Sequence, residues 1–318
     1  MVREKNCNMK YIRTHETEEK FLTDKDSTSR EFRLKPVLYK YSETGDHIHL
    51  ELDDPRKHGD STYMEITLDS DTEFNFYISN APGDTRTIRD CKVDWGDGDS
   101  GSTRLTAEYN RFKLSHNYKA GSYSIELYAI GDYSMGDDRG YESSISHPSS
   151  VKRVILGSDV VSIMNYAFYE CSSLTSVYIP ESVVSIRNGA FYRCSSLTSI
   201  SIPGSVTSIE SEVFFECSSL TSVYIPESVT SIGHSAFNTC SSLTSISIPG
   251  SVTSIDEYAF CDCSLTYISS LNTTAPTLEY DRYYVLPTNG TLHIKPGATG
   301  YDAWLSKLPE GWIIVEDL

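Results

Sequence analysis

Between residues 172 and 263 apolar and polar positions recur with a period of 23 residues. Leu174, Leu197, Leu220 and Leu243 open the four copies, Ile179, Ile202, Ile225 and Ile248 follow, and Cys194, Cys217, Cys240 and Cys263 close them. An earlier, degenerate copy at residues 149–171 keeps the frame through Val151, Val154, Leu156, Val160, Ile163 and Phe168. A fixed period of this length predicts a solenoid, because one copy buries too little apolar surface to fold alone and neighbours must share a core. Within each copy the pattern Leu-x-x-Val-x-Ile predicts a short strand with Val177 and Ile179 inward and Ser176 and Tyr178 outward. Pro180 and its equivalents end that strand, having no N–H for a ladder. On the return side Val183 and Ile186 point inward, and an Ala-Phe pair supplies a ring that caps the coil. Alternate copies read Val-Tyr-Ile-Pro-Glu and Ile-Ser-Ile-Pro-Gly, so the last duplication copied a pair of coils.

From residue 62 to 130 the period changes to two: Met64, Ile66 and Leu68 alternate with Tyr63, Glu65 and Thr67, and Tyr123, Ile125, Leu127 and Ala129 repeat the pattern. Such alternation between frequent turn signals predicts a β-sandwich. Residues 1–60 are polar and charged and read as an N-terminal arm or anchor, residues 61–147 as the sandwich, 148–270 as the repeats and 271–318 as a C-terminal cap. An open solenoid end exposes apolar side chains, and Trp304 and Trp312 are the candidates to cover it. The expected fold is mainly β.

The repeat consensus, Leu-x-x-Ile-x-Ile-Pro-x-x-Val-x-x-Ile-x-x-x-Ala-Phe-x-x-Cys, resembles the BspA-like leucine-rich repeats over about residues 151–270. Val213 stands where that pattern has alanine, and the coil after Cys263 is one serine short. The resemblance implies a curved, non-catalytic solenoid used for surface attachment or recognition. Val93-Asp94-Trp95-Gly96-Asp97-Gly98, followed by His116-Asn117-Tyr118, resembles the polycystic-kidney-disease (PKD) type of immunoglobulin-like domain, which implies a spacer or adhesion module. Met9-Lys10-Tyr11-Ile12-Arg13-Thr14 resembles N-terminal segments of structural proteins from gut Bacteroidota phages and prophages.

A net charge of -17 and a pI near 4.8 argue against nucleic acid and anionic membrane as partners, since counterion release needs clustered Lys and Arg. No apolar run approaches the roughly 20 residues of a membrane span, and residues 1–20 lack the apolar centre of a secretory signal. Of the eight cysteines, five fall 23 apart in one column, where a small buried hydrophobe explains the repetition better than disulfides or a metal site. Asp94, Asp97 and Asp99 are weak calcium candidates, because hard cations want clustered carboxylates, but their spacing is not that of an EF-hand. No nucleophile elbow, phosphate loop or metalloprotease helix is present, and Glu181 and Glu227, two coils apart, stand at roughly 10 Å, at or beyond the upper edge of glycosidase geometry. Neither an enzyme nor a cofactor is expected. Asn272 and Asn289 head glycosylation sequons that read as incidental.

The expected activity is binding. Two outward columns, Arg153 with Ser176, Ser199, Ser222, Ser245 and Tyr267, and Ile155 with Tyr178, Ser201, Tyr224, Ser247 and Ser269, line a concave face. Arg153, Tyr178, Tyr224 and Tyr267 are its candidate contacts, tyrosine amid serine being adaptable contact chemistry. The partner is a protein or glycan on a host or cell surface, met from a virion fibre or decoration protein or from a bacterial surface adhesin, with the N-terminal segment as attachment to a larger assembly. A purely structural spacer, with serines that merely let the coils stack, is the alternative.

Overall fold

The computed structural model describes residues 8–14, 17–23, 61–81, 91–98, 100–103, 111–129, 132–136, 143–278 and 289–318. The chain divides into two units, residues 1–52 and 53–318. In the first, β1 (Asn8–Thr14) and β2 (Thr17–Thr23) form an antiparallel hairpin, in register from Asn8 with Thr23 to Thr14 with Thr17. The Met9 to Thr14 motif is thus part of a strand; apart from this hairpin, residues 1–60 lie outside the described residues.

The second unit opens with a sandwich of β3 (Thr62–Leu68), β4 (Thr72–Asn80), β5 (Cys91–Asp94), β6 (Ser100–Thr103), β7 (Arg111–Tyr118), β8 (Gly121–Ala129) and β9 (Tyr133–Met135). Period-two alternation places Met64, Ile66, Phe74, Phe76, Ile78, Ile125 and Leu127 in its core.

Each coil up to residue 278 then contributes one face strand and one return strand, and two further face strands follow. The face strands are β10 (Val151–Ile155), β12 (Ser176–Tyr178), β14 (Ser199–Ser201), β16 (Ser222–Tyr224), β18 (Ser245–Ile248), β20 (Tyr267–Ser270), β22 (Gly290–Ile294) and β23 (Trp312–Glu316). The return strands are β11 (Val160–Ile163), β13 (Ser185–Ile186), β15 (Ser208–Ile209), β17 (Ser231–Ile232), β19 (Ser254–Ile255) and β21 (Thr277–Leu278), and a short helix α1 (Asp302–Leu305) precedes β23. The result is a mainly β solenoid of about 7 turns.

Both sheets of the sandwich run on into the solenoid. One has the order β12-β10-β3-β8-β5-β6 and the other β13-β11-β9-β4-β7. β10 lies antiparallel to β3 on one edge and parallel to β12 on the other, while β9 lies parallel to β11. A single hydrophobic core follows, from Met64 to Trp312. The joint also corrects one outward position: Ile155 is buried, because Tyr63 of β3 stands opposite it in register.

Three repeated devices hold the coils together. The rings of Phe168, Phe191, Phe214, Phe237 and Phe260 stack in one column at centroid separations of 5.3, 5.7, 5.2 and 5.5 Å. Hydroxyls of Ser182, Ser228 and Ser251 donate to the carbonyls of Val160, Val206 and Val229 in the preceding coil, at 2.7, 2.6 and 2.7 Å, and Ser205 does the same to Val183. Serine is therefore fixed at that position by a buried carbonyl that needs a donor. On the turn side each coil holds two residues in the left-handed region, among them Glu212 and Glu216, or Ser235 and Thr239. Glu212 and Glu216 donate their N–H groups along the stack to His234 and Asn238, as Phe214 between them does to Ala236, at 2.8 Å each. Left-handed backbone costs a non-glycine residue on the order of 1 kcal/mol, and this inter-coil ladder is what holds it in place.

A glutamate in one coil also reaches the next: Glu181 Oε2 accepts the N–H of Gly204 at 2.8 Å. Asn272 has a similar structural duty: it is buried and donates to the carbonyls of Gly250 and Val252 at 3.0 and 2.7 Å, which leaves its sequon no room for a glycan.

All seven described cysteines are free and buried. In the column, Cys194, Cys217, Cys240 and Cys263 donate their thiols to the carbonyls of Phe168, Phe191, Phe214 and Phe237 at 3.2, 3.2, 3.2 and 3.0 Å. Burial pushes the thiols of Cys171, Cys194, Cys217 and Cys240 well above the usual range, so thiolate is scarce. Thiol counting with an alkylating reagent should find the column unreactive in the native protein and fully reactive after denaturation; rapid labelling of the native column would mean that it faces solvent.

Candidate functional site

The ladder register sets two outward columns on the strand face. Ser199 pairs with Ser222, Ser245 with Tyr267, Tyr267 with Thr291 and Thr291 with Ile313. In the second column Ile155 pairs with Tyr178, Ser201 with Tyr224, Ser247 with Ser269, Ser269 with His293 and His293 with Val315. Tyr178, Tyr224, Tyr267 and Ile313 are 46%, 43%, 38% and 56% exposed. Four of the described exposed large apolar side chains thus share one face, although isolated exposed apolar residues are ordinary. Arg153 sits at its first strand, half-buried and in register with Ser176. Ser269, expected outward, is buried.

The face is longer than the repeats alone suggest. β22 and β23 continue the parallel ladder beyond β20, and eight strands at about 4.8 Å spacing make a surface of about 34 Å. Trp304 and Trp312 are buried beneath this end, with Trp304 Nε1 donating to the Pro276 carbonyl at 2.9 Å. Above them Tyr267 stacks on His293 at 4.3 Å. His293 is clamped on both sides, Nδ1 lying 2.8 Å from Asp317 Oδ1 and Nε2 3.0 Å from Thr291 Oγ1. Sequence reasoning passed over Thr291, His293 and Ile313. The signal was present: Thr291-Leu292-His293-Ile294 repeats the polar and apolar order of Ser176-Val177-Tyr178-Ile179.

The turn in the sandwich uses its own polar groups. Asp94 Oδ1 accepts the N–H of Gly96 at 3.0 Å, and Asp97 Oδ2 lies 2.7 Å from His116 Nε2. Asp99 lies outside the described residues. Among the described residues no three His, Cys, Asp or Glu side chains come together as a metal site. Trp95 stacks on His116 at 5.1 Å, and the Tyr118 hydroxyl donates to the Trp95 carbonyl at 2.8 Å, so the tryptophan, histidine and tyrosine of the motif form one knot. Burial, with the nearby Asp97 charge, pushes the Tyr118 phenol up.

On the turn side a groove of about 430 Å³ runs past Glu170, Ser172, Arg193, Ser195 and Glu216. Arg193 bridges Glu216 at 2.9 Å and Glu170 at 3.1 Å, so its charge is already matched. No described helix is long and apolar enough to cross a membrane. Glu181, one half of the carboxylate pair considered above, is engaged with Gly204.

Residues 142–275 match, in 6 copies, the family model described as BspA type Leucine rich repeat region. No curated protein matches the chain. Among solved structures, the chain is similar to a leucine rich cell surface protein from Faecalibacterium prausnitzii, at 27% identity over 54% of each chain with a TM-score of 0.38. The chain therefore spans about half the length of that protein. It is similar also to the leucine rich repeat protein of T. pallidum, at 28% identity over 40% of this chain and 73% of that one, TM-score 0.36. A leucine-rich repeat protein from Bacteroides ovatus is 19% identical over 70% and 66% of the two chains, TM-score 0.40.

Proposed function

We propose that the BspA-type repeats are a non-catalytic recognition surface, which binds a protein or glycan on a host or cell surface through the strand face. The observation that carries this is the placing of Tyr178, Tyr224, Tyr267 and Ile313, all exposed, at outward positions of successive face strands. Rigid aromatic rings over small hydroxyls give contact area at little entropic cost. Serines on the return side are used up in holding coils together, whereas exposed tyrosines contribute little to the core. The sandwich, read as a PKD-type module, is the spacer, and the N-terminal hairpin belongs to the attachment segment.

The test is the double change Tyr178→Ser and Tyr224→Ser, which gives those positions the serine that residues 201 and 247 already carry. Thermal melting should be nearly unchanged. Binding of the labelled full chain to intact bacterial cells, epithelial cells and mucin, read by flow cytometry and plate assay, should fall about tenfold or more, as loss of aromatic anchors does. Unchanged binding would transfer the activity to the turns that differ from coil to coil, Arg187-Asn188-Gly189, Glu210-Ser211-Glu212, Gly233-His234-Ser235 and Asp256-Glu257-Tyr258.

Two settings fit this activity. BspA-type repeat proteins are cell-surface proteins. Display on a phage virion is favoured by the seven free thiols, since such a protein folds in a reducing compartment. Mass spectrometry of purified particles against envelope fractions decides between them.

A further inference from the structure

Resting on that reading of the strand face, we propose that its ligand is an extended basic polypeptide, lying along the solenoid axis with lysine or arginine at about every third residue. The sign of the charge comes first. Of the eight acidic residues in residues 172–263, Glu181 and Glu227 follow face strands, whereas the other six follow the return strands together with Arg187 and Arg193, and Arg193 is matched there by Glu170 and Glu216. The two outward columns contain one arginine, Arg153, and no lysine.

Each exposed tyrosine is accompanied by a carboxylate. Glu181 follows Tyr178 just past the strand end, and its carboxylate is oriented by the Gly204 N–H. Burial and then the Glu181 charge push the Tyr178 phenol up, as burial and then Asp317 do for Tyr267. Glu227 occupies the same place after Tyr224. Asp317 is tied to the imidazole on which Tyr267 stacks. A ring beside an anion is the chemistry that receives an ammonium or guanidinium group, by cation–π attraction and charge-assisted hydrogen bonding together. An uncharged glycan would use the rings and offer the carboxylates no cation.

Spacing fixes the period. Tyr178 and Tyr224 stand two coils apart, about 10 Å, and an extended polypeptide advances roughly 3.3 to 3.6 Å per residue, so three residues join one pair to the next.

Fluorescence anisotropy with the full chain tests this. The probes are a labelled peptide of serine and glycine with lysine at every third position, a peptide of the same composition with its lysines in one block, and an uncharged oligosaccharide. The spaced peptide should bind about tenfold more tightly than the block peptide, and less tightly as salt is raised. Tyr224→Ser and Glu227→Gln should each weaken it about tenfold, with unchanged circular-dichroism melting confirming that both variants fold. Equal binding of the two peptides, or indifference to Glu227→Gln, overturns the proposal. If the oligosaccharide binds in a Tyr224-dependent way and the spaced peptide does not, the basic ligand is wrong and the strand-face reading stands. If no probe depends on Tyr178 or Tyr224, both fall.

Discussion

Replacing Phe214 by alanine should destabilise the solenoid by about 3–5 kcal/mol, the range for deleting a large buried ring. The ring is fully buried, and it stacks on Phe191 at 5.7 Å and on Phe237 at 5.2 Å. Its loss opens a cavity in the middle of a column whose rungs are fixed by backbone bonds: the Phe214 N–H donates to the Ala236 carbonyl at 2.8 Å. The coil cannot collapse to fill the gap without giving up that ladder. Phe260→Ala should cost less, because among the described residues Phe260 ends the ring column and stacks only on Phe237, at 5.5 Å. Urea denaturation of the two variants and of Ser218→Ala, a half-buried position, measures the ordering. A loss at Phe214 no greater than at Ser218 would refute the register of the repeat.

Gly96→Ala should cost the sandwich about 2–4 kcal/mol, as forced overpacking against backbone does. Gly96 has φ +77°, and a Cβ there would lie 2.3 Å from the Ser124 carbonyl oxygen and 2.9 Å from the Ser124 nitrogen. Neither atom can swing aside, because Ser124 belongs to β8 between its pairings with β3 and β5. The turn would have to lift off the strand, and the Tyr118 to Trp95 hydrogen bond would go with it. Gly98 is the control: its φ is +93°, yet a Cβ there would meet nothing within 4 Å. Gly98→Ala should therefore show only the conformational cost, about 1 kcal/mol. Thermal unfolding followed by tryptophan fluorescence separates the two; equal losses would mean that close approach is not what keeps glycine at residue 96.

The mainly β fold and the 23-residue coil were legible because every inward position repeats: Leu174, Val183, Ile186, Phe191 and Cys194 recur with chemistry that only a shared core explains. What escaped was set by pairing between segments. Nothing in the alternation of Tyr63 and Met64 says that β3 will receive β10 as its neighbour, yet that pairing buries Ile155. The left-handed turn positions were hidden because they carry Tyr, Glu, Arg, Ser, Thr and Asp, with Gly189 as the lone glycine among the ten. Their conformation comes from inter-coil hydrogen bonds and not from residue preference. The column thiols looked like small hydrophobes and prove also to be donors to the Phe carbonyls. His293 and Ile313 were missed because residues 279–288 interrupt the period, so the frame was not carried across to β22 and β23.

The bonds between coils all run along the solenoid axis, and the first and last coils lie at opposite ends of it. A pull between those ends therefore loads the rungs in series. Each ladder between regular coils has two to four residue pairs, so the coils peel off one after another, each releasing up to roughly 75 Å of chain. β10 is bonded on both edges and β9 ties the return side, so the last stretch to yield is the one fused to the sandwich. A solenoid built this way lengthens in steps when pulled, absorbing the load as extension while the coils next to the sandwich stay folded longest.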